Sequence, residues 1–168
     1  MINPLNEASV SQTNKAQIVI GLAVLLLGTA VYFLDRPWEQ TIFVPGDLSL
    51  FHLTPSVFGV MGHSLPTFTH IFAFSLLTIA LVGGAKRAAI TVCLGWFLVD
   101  ATFELGQHPQ VAGWLSSLIP QWFEHLPVLD RTAGYFVYGT FDPLDLLSVA
   151  FGALAAYLVI QQTQQQRR

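Results

Sequence analysis

A stretch of 19 mostly apolar residues, from Ala88 to Gly106, is the feature that most limits how this chain can fold. As an α-helix it would rise about 28 Å, close to the thickness of the hydrocarbon core of a bilayer. Only 10% of the 168 residues are charged and 53% are hydrophobic, whereas soluble domains carry about 25% charged residues. The sequence therefore predicts an integral membrane protein in which this stretch is one spanning helix.

Three further apolar stretches are long enough to cross a membrane as helices. Pro66 precedes one of them and Gly83 and Gly84 follow it, which are typical start and stop signals of a helix. The sequence therefore predicts an all-α membrane protein with a single four-helix transmembrane domain over residues 16–160. The four spans are expected at about 16–34, 67–82, 88–106 and 143–160, with a polar N-terminal segment at 1–15 and a polar tail at 161–168.

The distribution of basic residues predicts the orientation of the spans. Lys and Arg are enriched in the cytoplasmic connections of membrane proteins. The two termini and the short connection between the second and third spans hold five of the seven basic residues, and the two long connections hold two. We therefore expect a bacterial inner-membrane protein with both termini in the cytoplasm and both long connections outside. The five are Lys15, Lys86, Arg87, Arg167 and Arg168, and the two are Arg36 and Arg131.

The two long connections are expected to contain short helical segments that lie on the membrane surface, because long connections without secondary structure are uncommon. Val111 to Leu126 places large apolar side chains at broadly helical spacing, with Pro120 interrupting the pattern. This pattern fits an interfacial helix or an ordinary, partly buried loop equally well. Leu48 to Met61 is a weaker candidate, and Tyr32 and Trp38 are suited to be interfacial anchors of the first span.

Three polar side chains share one face of the third span. Asp100, Glu104 and Gln107 fall at i, i+4 and i+7, the spacing of residues on one side of a helix. A carboxylate at the centre of the hydrocarbon costs about 2.5 to 3.5 kcal/mol and normally faces a partner or a wet cavity. Glu104 is close enough to the helix end to emerge among the headgroups, but Asp100 lies about 10 Å below it. Asp100 therefore indicates a polar pocket.

Polar residues on two other spans are predicted at the same depth. His70 lies one turn inside the outer end of the second span, and Asp145 lies near the outer start of the fourth. Each also has a structural explanation, since His70 could be an ordinary hydrogen-bonded interior histidine and Asp145 could compensate the helix dipole. Asp142, which precedes Pro143, is predicted to be the helix N-cap. The predicted pocket consists of His70, Asp100, Glu104, Gln107 and Asp145.

Three short motifs on these spans resemble the VanZ-like family of small bacterial membrane proteins. They are a His near the outer start of one span (His70, in HIFAF), an E-x-x-Q at the end of the next (Glu104 and Gln107) and a final D-x6-G span (Asp145 to Gly152). They cover about residues 67–158, in the order and topology of that family. The resemblance implies a fold and a membrane setting more than a particular reaction.

The chain departs from the family pattern in its last span. The family has an Asn four residues after the Asp, where this chain has Val149, and an Arg shortly before the Asp, where this chain has residues 139–142 without one. Arg131 could substitute from further back. These differences indicate a divergent member.

The predicted pocket is compatible with several functions. The favoured hypothesis is a protein that binds or handles a lipid-linked or polar envelope component at the outer leaflet, with a lipid headgroup as its partner. The alternatives are an outer-leaflet enzyme, acid–base or metal-assisted, a proton-coupled carrier, and a structural subunit with a membrane-protein partner. No His or Cys pair has metal-ligand spacing, so neither a metal nor another cofactor is predicted. The lone Cys93 is expected to be a small buried hydrophobe, and no basic patch suggests nucleic acid.

Overall fold

The computed structural model describes residues 14–37, 41, 48–52, 55–84, 86–127 and 129–165. Within these ranges every regular element is helical, and four helices are long and apolar enough to cross a membrane. The prediction of an all-α, multi-pass membrane protein is therefore confirmed. The four spans are α1 (Lys15–Asp35), α2 (Met61–Val82), α3 (Lys86–Gly106) and α6 (Pro143–Gln165), with α4 (Pro109–Ser117) and α5 (Thr132–Tyr138) between the last two.

Some predictions concern parts of the chain outside the described residues. These parts are most of the polar N-terminal segment, the last three residues of the tail and three stretches of the first long connection, the first of which contains Trp38. In the second long connection, 3-10 helices lie between α4 and α5, at Gln121–His125 and Leu129–Arg131. The first of them follows Pro120, the residue at which the helical pattern breaks.

Helix α2 is the centre of the bundle. It packs against α1, α3 and α6, whereas α1 and α3 hardly touch each other within the described residues. Half of the most apolar window of α2 (50%) is buried, compared with 22% for each of the other three spans. The core lies between α2, α3 and α6, around Leu76, Ile79, Ala156 and Ile160.

The outer faces of α1, α3 and α6 are apolar and exposed. In water such faces would be costly, at about 25 cal/mol per Å² of apolar surface. In a bilayer they contact lipid tails of the same polarity, so these rows of side chains are the expected lipid-facing surface. They include Val19 and Leu26 on α1, Leu94 and Leu98 on α3, and Leu147, Phe151 and Leu154 on α6.

Gly152 allows α6 to approach α2 closely. A Cβ atom at this position would overlap the side chain of Ile71 and come within 2.8 Å of the backbone oxygen of Phe68. Small residues at spanning-helix interfaces permit such contacts between backbones. The packing fixes which side of α6 faces the bundle, and Asp145 lies two turns away at the start of the same helix.

Helix α2 begins six residues earlier than the predicted start at residue 67. Pro66 is inside the helix rather than just before it. The preceding turn is held by Asp35, whose carboxylate accepts hydrogen bonds at 2.8 Å from the backbone amides of Val57 and Phe58. Arg36 also donates to the backbone oxygen of His63. These contacts organise the first turn of α2 before Pro66, which removes only one helical hydrogen bond so near the N-terminus.

Helix α6 continues to Gln165, beyond the predicted end of the span at residue 160. The extension is polar and is tied to neighbouring elements. Gln17 donates to Thr163 Oγ1 at 2.9 Å, and Gln164 donates to the backbone oxygen of Gly84 at 3.1 Å. The helix therefore outlasts its apolar sequence because its polar side chains have partners at this end of the bundle.

Candidate functional site

The end of the bundle at which α1 ends, α2 begins, α3 ends and α6 begins is here called the loop end. Near it, His70 on α2 and Asp100 on α3 form a side-chain pair, with 2.8 Å between Nδ1 and Oδ1. Asp100 is buried, at 8% exposure, whereas the His70 side chain is 41% exposed. The second oxygen of Asp100, Oδ2, is buried and has no hydrogen-bond partner in the part of the chain that the structure describes.

Aromatic rings surround this pair. The His70 ring meets Phe74 edge-on at 4.4 Å between centroids and Trp96 at 5.9 Å. Phe74 and Trp96 stack on each other at 4.9 Å, and the Trp96 indole donates to Thr78 Oγ1 at 3.0 Å. These contacts hold the imidazole and the indole in fixed orientations on adjacent helices.

Glu104, one turn nearer the loop end than Asp100, joins α3 to the start of α6. Its carboxylate accepts a hydrogen bond from the backbone amide of Asp142 at 2.7 Å. The Asp142 carboxylate in turn accepts from the backbone amide of Leu144 at 2.9 Å, which is the contact of a helix N-cap. Glu104 thus has a structural partner as well as a position near Asp100.

Asp145 faces α2 instead of capping its own helix. Ser64 donates a hydrogen bond to its carboxylate, and Arg36 is close enough to interact electrostatically with both Asp145 and Glu104. The other oxygen of Asp145, Oδ1, is buried without a partner among the described residues. From the sequence, Arg36 was counted only as a basic residue of a long connection, but it supplies positive charge beside two carboxylates.

Gln107 is buried beneath α5. It forms a side-chain hydrogen bond with Tyr135, and a Cβ atom at Gly139 would lie 2.5 Å from its amide group. Burial raises the pKa of the Tyr135 phenol above its usual range, so this hydroxyl keeps its proton. Gln107 therefore ties the end of α3 to α5.

A cavity of about 580 Å³ lies between α1, α2 and α3 near the loop end. It occupies the gap left because α1 and α3 both pack on α2 but hardly contact each other within the described residues. Its polar lining includes His70, Asp100 and Glu104, and Thr41 and Tyr135 come from the two long connections. The rest is mostly apolar or aromatic: Leu25, Tyr32, Phe33, Phe74, Trp96, Val99 and Phe103.

Three of the five predicted pocket residues line this cavity, namely His70, Asp100 and Glu104. Gln107 and Asp145 are not among its lining residues, since Gln107 packs under α5 and Asp145 bonds to α2. Within the described residues, no three His, Cys, Asp or Glu side chains are arranged to hold a metal ion.

Sequence reasoning missed several residues of the site. Tyr32 lines the cavity, and Arg36, one turn later at the end of α1, is close enough to interact with Glu104 and Asp145. Their i, i+4 spacing is the signal that could have placed them here. Ser64 and Tyr135 carry no comparable pattern. Trp114 and Trp122, from the segment expected to be interfacial, are exposed, and the lining residue from that connection is Tyr135.

Comparison with known proteins adds no identification: no family model, no curated protein and no solved structure matches this chain.

Proposed function

We propose that this protein is a divergent VanZ-like protein of the bacterial inner membrane, and that it binds or handles a lipid-linked or polar component of the cell envelope in the cavity between α1, α2 and α3. The observation that carries the proposal is the Asp100 carboxylate, which lines the cavity, is buried, and leaves one oxygen unpaired within the described residues. A carboxylate within the apolar part of a membrane protein normally faces a partner or a wet cavity. A polar ligand group in the cavity would lie beside this carboxylate.

The shape of the cavity supports a ligand that comes from the lipid. Thr29 on α1 and Val99 and Phe103 on α3 line the cavity and are also exposed on the outside of the bundle. The cavity therefore reaches the lipid-facing surface between α1 and α3. A headgroup could occupy the polar inner wall while its acyl chains remain in the bilayer.

The proposed orientation places this cavity toward the outer leaflet. The orientation follows from the distribution of basic residues, which are enriched in the cytoplasmic parts of membrane proteins. The termini and the short connection hold five of them, and the long connections hold two. The exposed Trp114 and Trp122 of the second connection suit the membrane–water interface. The exposed apolar faces of the spans also leave room for a membrane-protein partner.

Native mass spectrometry of the purified chain tests the proposal. We expect the wild-type chain, purified in mild detergent and released from it in the mass spectrometer, to retain one bound envelope lipid. Thr29→Trp should lose this lipid, because the indole would fill the mouth of the cavity. Leu22→Trp is the matched control, since Leu22 is exposed on α1 and does not line the cavity. Equal lipid retention by Thr29→Trp and Leu22→Trp would contradict the proposal.

The His70–Asp100 pair supports a second candidate, an acid–base enzyme of the outer leaflet. A carboxylate that bonds Nδ1 fixes the imidazole tautomer and leaves Nε2 to exchange a proton with a substrate. Incubation of the purified chain with an envelope lipid extract would distinguish the two candidates. A new lipid species formed by the wild-type chain but not by His70→Gln would favour the enzyme, and an unchanged extract would favour binding.

A further inference from the structure

The acidic side chains that line the cavity select among ligands. Two carboxylates line it, those of Asp100 and Glu104. Arg36 is close enough to interact electrostatically with Glu104, but no Lys or Arg is among the lining residues that the structure describes. Glu104 already accepts a hydrogen bond from the Asp142 amide, whereas Asp100 Oδ2 has no partner within the described ranges. The charged side chains of the lining are thus acidic, and a group that donates hydrogen bonds and carries positive charge would complement them best.

The aromatic lining favours the same kind of ligand. Phe74 and Trp96 stand beside the His70–Asp100 pair, and Tyr32, Phe33 and Phe103 line the remaining wall. The faces of aromatic rings attract cations, by about 0.5 to 1 kcal/mol at exposed sites and about 2 kcal/mol or more when the cation is desolvated. A cavity lined by carboxylates and aromatic rings is therefore a better site for an ammonium group than for a phosphate.

We infer that the cavity recognises an amine, with the ammonium group of a lipid headgroup lying beside the Asp100 and Glu104 carboxylates and the aromatic rings that line the cavity. This inference rests on the proposed function and names the headgroup class. The opening of the cavity between α1 and α3 favours a lipid as the source of the amine, but a soluble amine offers the same chemistry. The experiment must distinguish the two sources.

The test compares two lipids that differ only at the headgroup amine, because N-acetylation removes its positive charge and adds a small acetyl group. Binding of phosphatidylethanolamine and of its N-acetyl derivative, with identical acyl chains, is measured by native mass spectrometry on the delipidated full-length chain. Because a charge-assisted hydrogen bond contributes about 1.5 to 3 kcal/mol, we expect phosphatidylethanolamine, which keeps its ammonium group, to bind about tenfold or more tightly than the derivative. Ethanolamine in solution serves as the competitor that identifies a soluble source.

Two variants test whether Asp100 causes the preference between the two lipids. Asp100→Asn keeps the shape of the side chain but replaces the carboxylate by a neutral amide. We therefore expect the preference for phosphatidylethanolamine over its N-acetyl derivative to disappear. Asp130→Asn is the matched control at an exposed site, and it should keep the preference. Tight binding of ethanolamine alone would support the amine inference and contradict the lipid proposal.

The remaining outcomes separate this inference from the proposed function. Equal binding of the two lipids, with loss of both in Thr29→Trp, would overturn the amine inference and leave the proposed function intact. A preference that persists in Asp100→Asn would also overturn the inference. If neither lipid binds to the wild-type chain, both the inference and the lipid proposal fail.

Discussion

The Glu104 carboxylate near the end of α3 accepts a hydrogen bond from the backbone amide of Asp142, 2.7 Å away, at the start of α6. In a capping box the third helical residue makes this contact to its own N-cap. Here that residue is Asp145, and it bonds instead to Ser64 on α2. A residue from another helix thus completes the cap, which leaves Asp145 free to join α6 to α2.

The first prediction separates the structural contribution of Glu104 from its charge. Glu104→Ala leaves the Asp142 amide without its acceptor, so we expect a loss of about 1 to 3 kcal/mol in the free energy of unfolding. Glu104→Gln retains an acceptor oxygen and should lose less than half as much. Unfolding in mixed micelles measures both, with Glu124→Ala, at an exposed position, as the control. Equal losses for Ala and Gln would show that the charge is what stabilises the cap.

The second prediction concerns the contact between α2 and α6. Gly152→Ala inserts a Cβ atom against Ile71 and the backbone of Phe68, so we expect destabilisation of about 1 to 3 kcal/mol. Gly95 on α3 has no atom within 4 Å of an added Cβ, so Gly95→Ala should be neutral or stabilising by up to about 1 kcal/mol. The two variants are compared by the same unfolding measurement. Similar stabilities of the two variants would show that α6 does not approach α2 this closely at Gly152.

The third prediction concerns Asp35, which organises the turn before α2. Its carboxylate accepts hydrogen bonds from Ser56 Oγ and from the backbone amides of Val57 and Phe58, all at 2.8 Å. Asp35→Ala removes the acceptor of all three donors, so we expect faster hydrogen exchange at residues 57 and 58. Asp130→Ala, at an exposed position, should leave these rates unchanged. Unchanged exchange in Asp35→Ala would show that the turn is held by other contacts.

The fourth prediction concerns orientation. In a Cys93→Ser background, we expect a membrane-impermeant maleimide to label Asp130→Cys from outside intact cells and to leave Gln165→Cys unlabelled. The reason is the excess of basic residues in the termini and the short connection. Labelling of Gln165→Cys, with Asp130→Cys protected, would show that the cavity has the opposite orientation to the one proposed.

The spanning helices were predictable because length and apolar composition determine them. A long apolar stretch marked each of the four helices, and the errors occurred where tertiary contacts decide a boundary. Pro66 suggested a helix start, but contacts from Asp35 and Arg36 organise an earlier one. The polar residues after Ile160 suggested an end, but the Gln17–Thr163 hydrogen bond continues the helix.

The site was only partly predictable, because depth in the membrane can be read from a sequence whereas rotation about a helix axis depends on packing. The i, i+4 spacing placed Asp100 and Glu104 on one face, and both line the cavity. Asp145 lies at a similar depth, but the close contact at Gly152 turns it toward Ser64. Tyr135 comes from a connection whose path no periodic pattern specifies.

Cross-linking with a photoactivatable phospholipid, whose diazirine lies next to the headgroup, tests the central claim most directly. Peptide mapping should find cross-links on the cavity-lining residues of α1 and α3, between residues 25 and 33 and between residues 96 and 104, and Thr29→Trp should abolish them. Cross-links spread evenly over the exposed faces of α1, α3 and α6, and unaffected by Thr29→Trp, would show that the cavity binds no lipid headgroup.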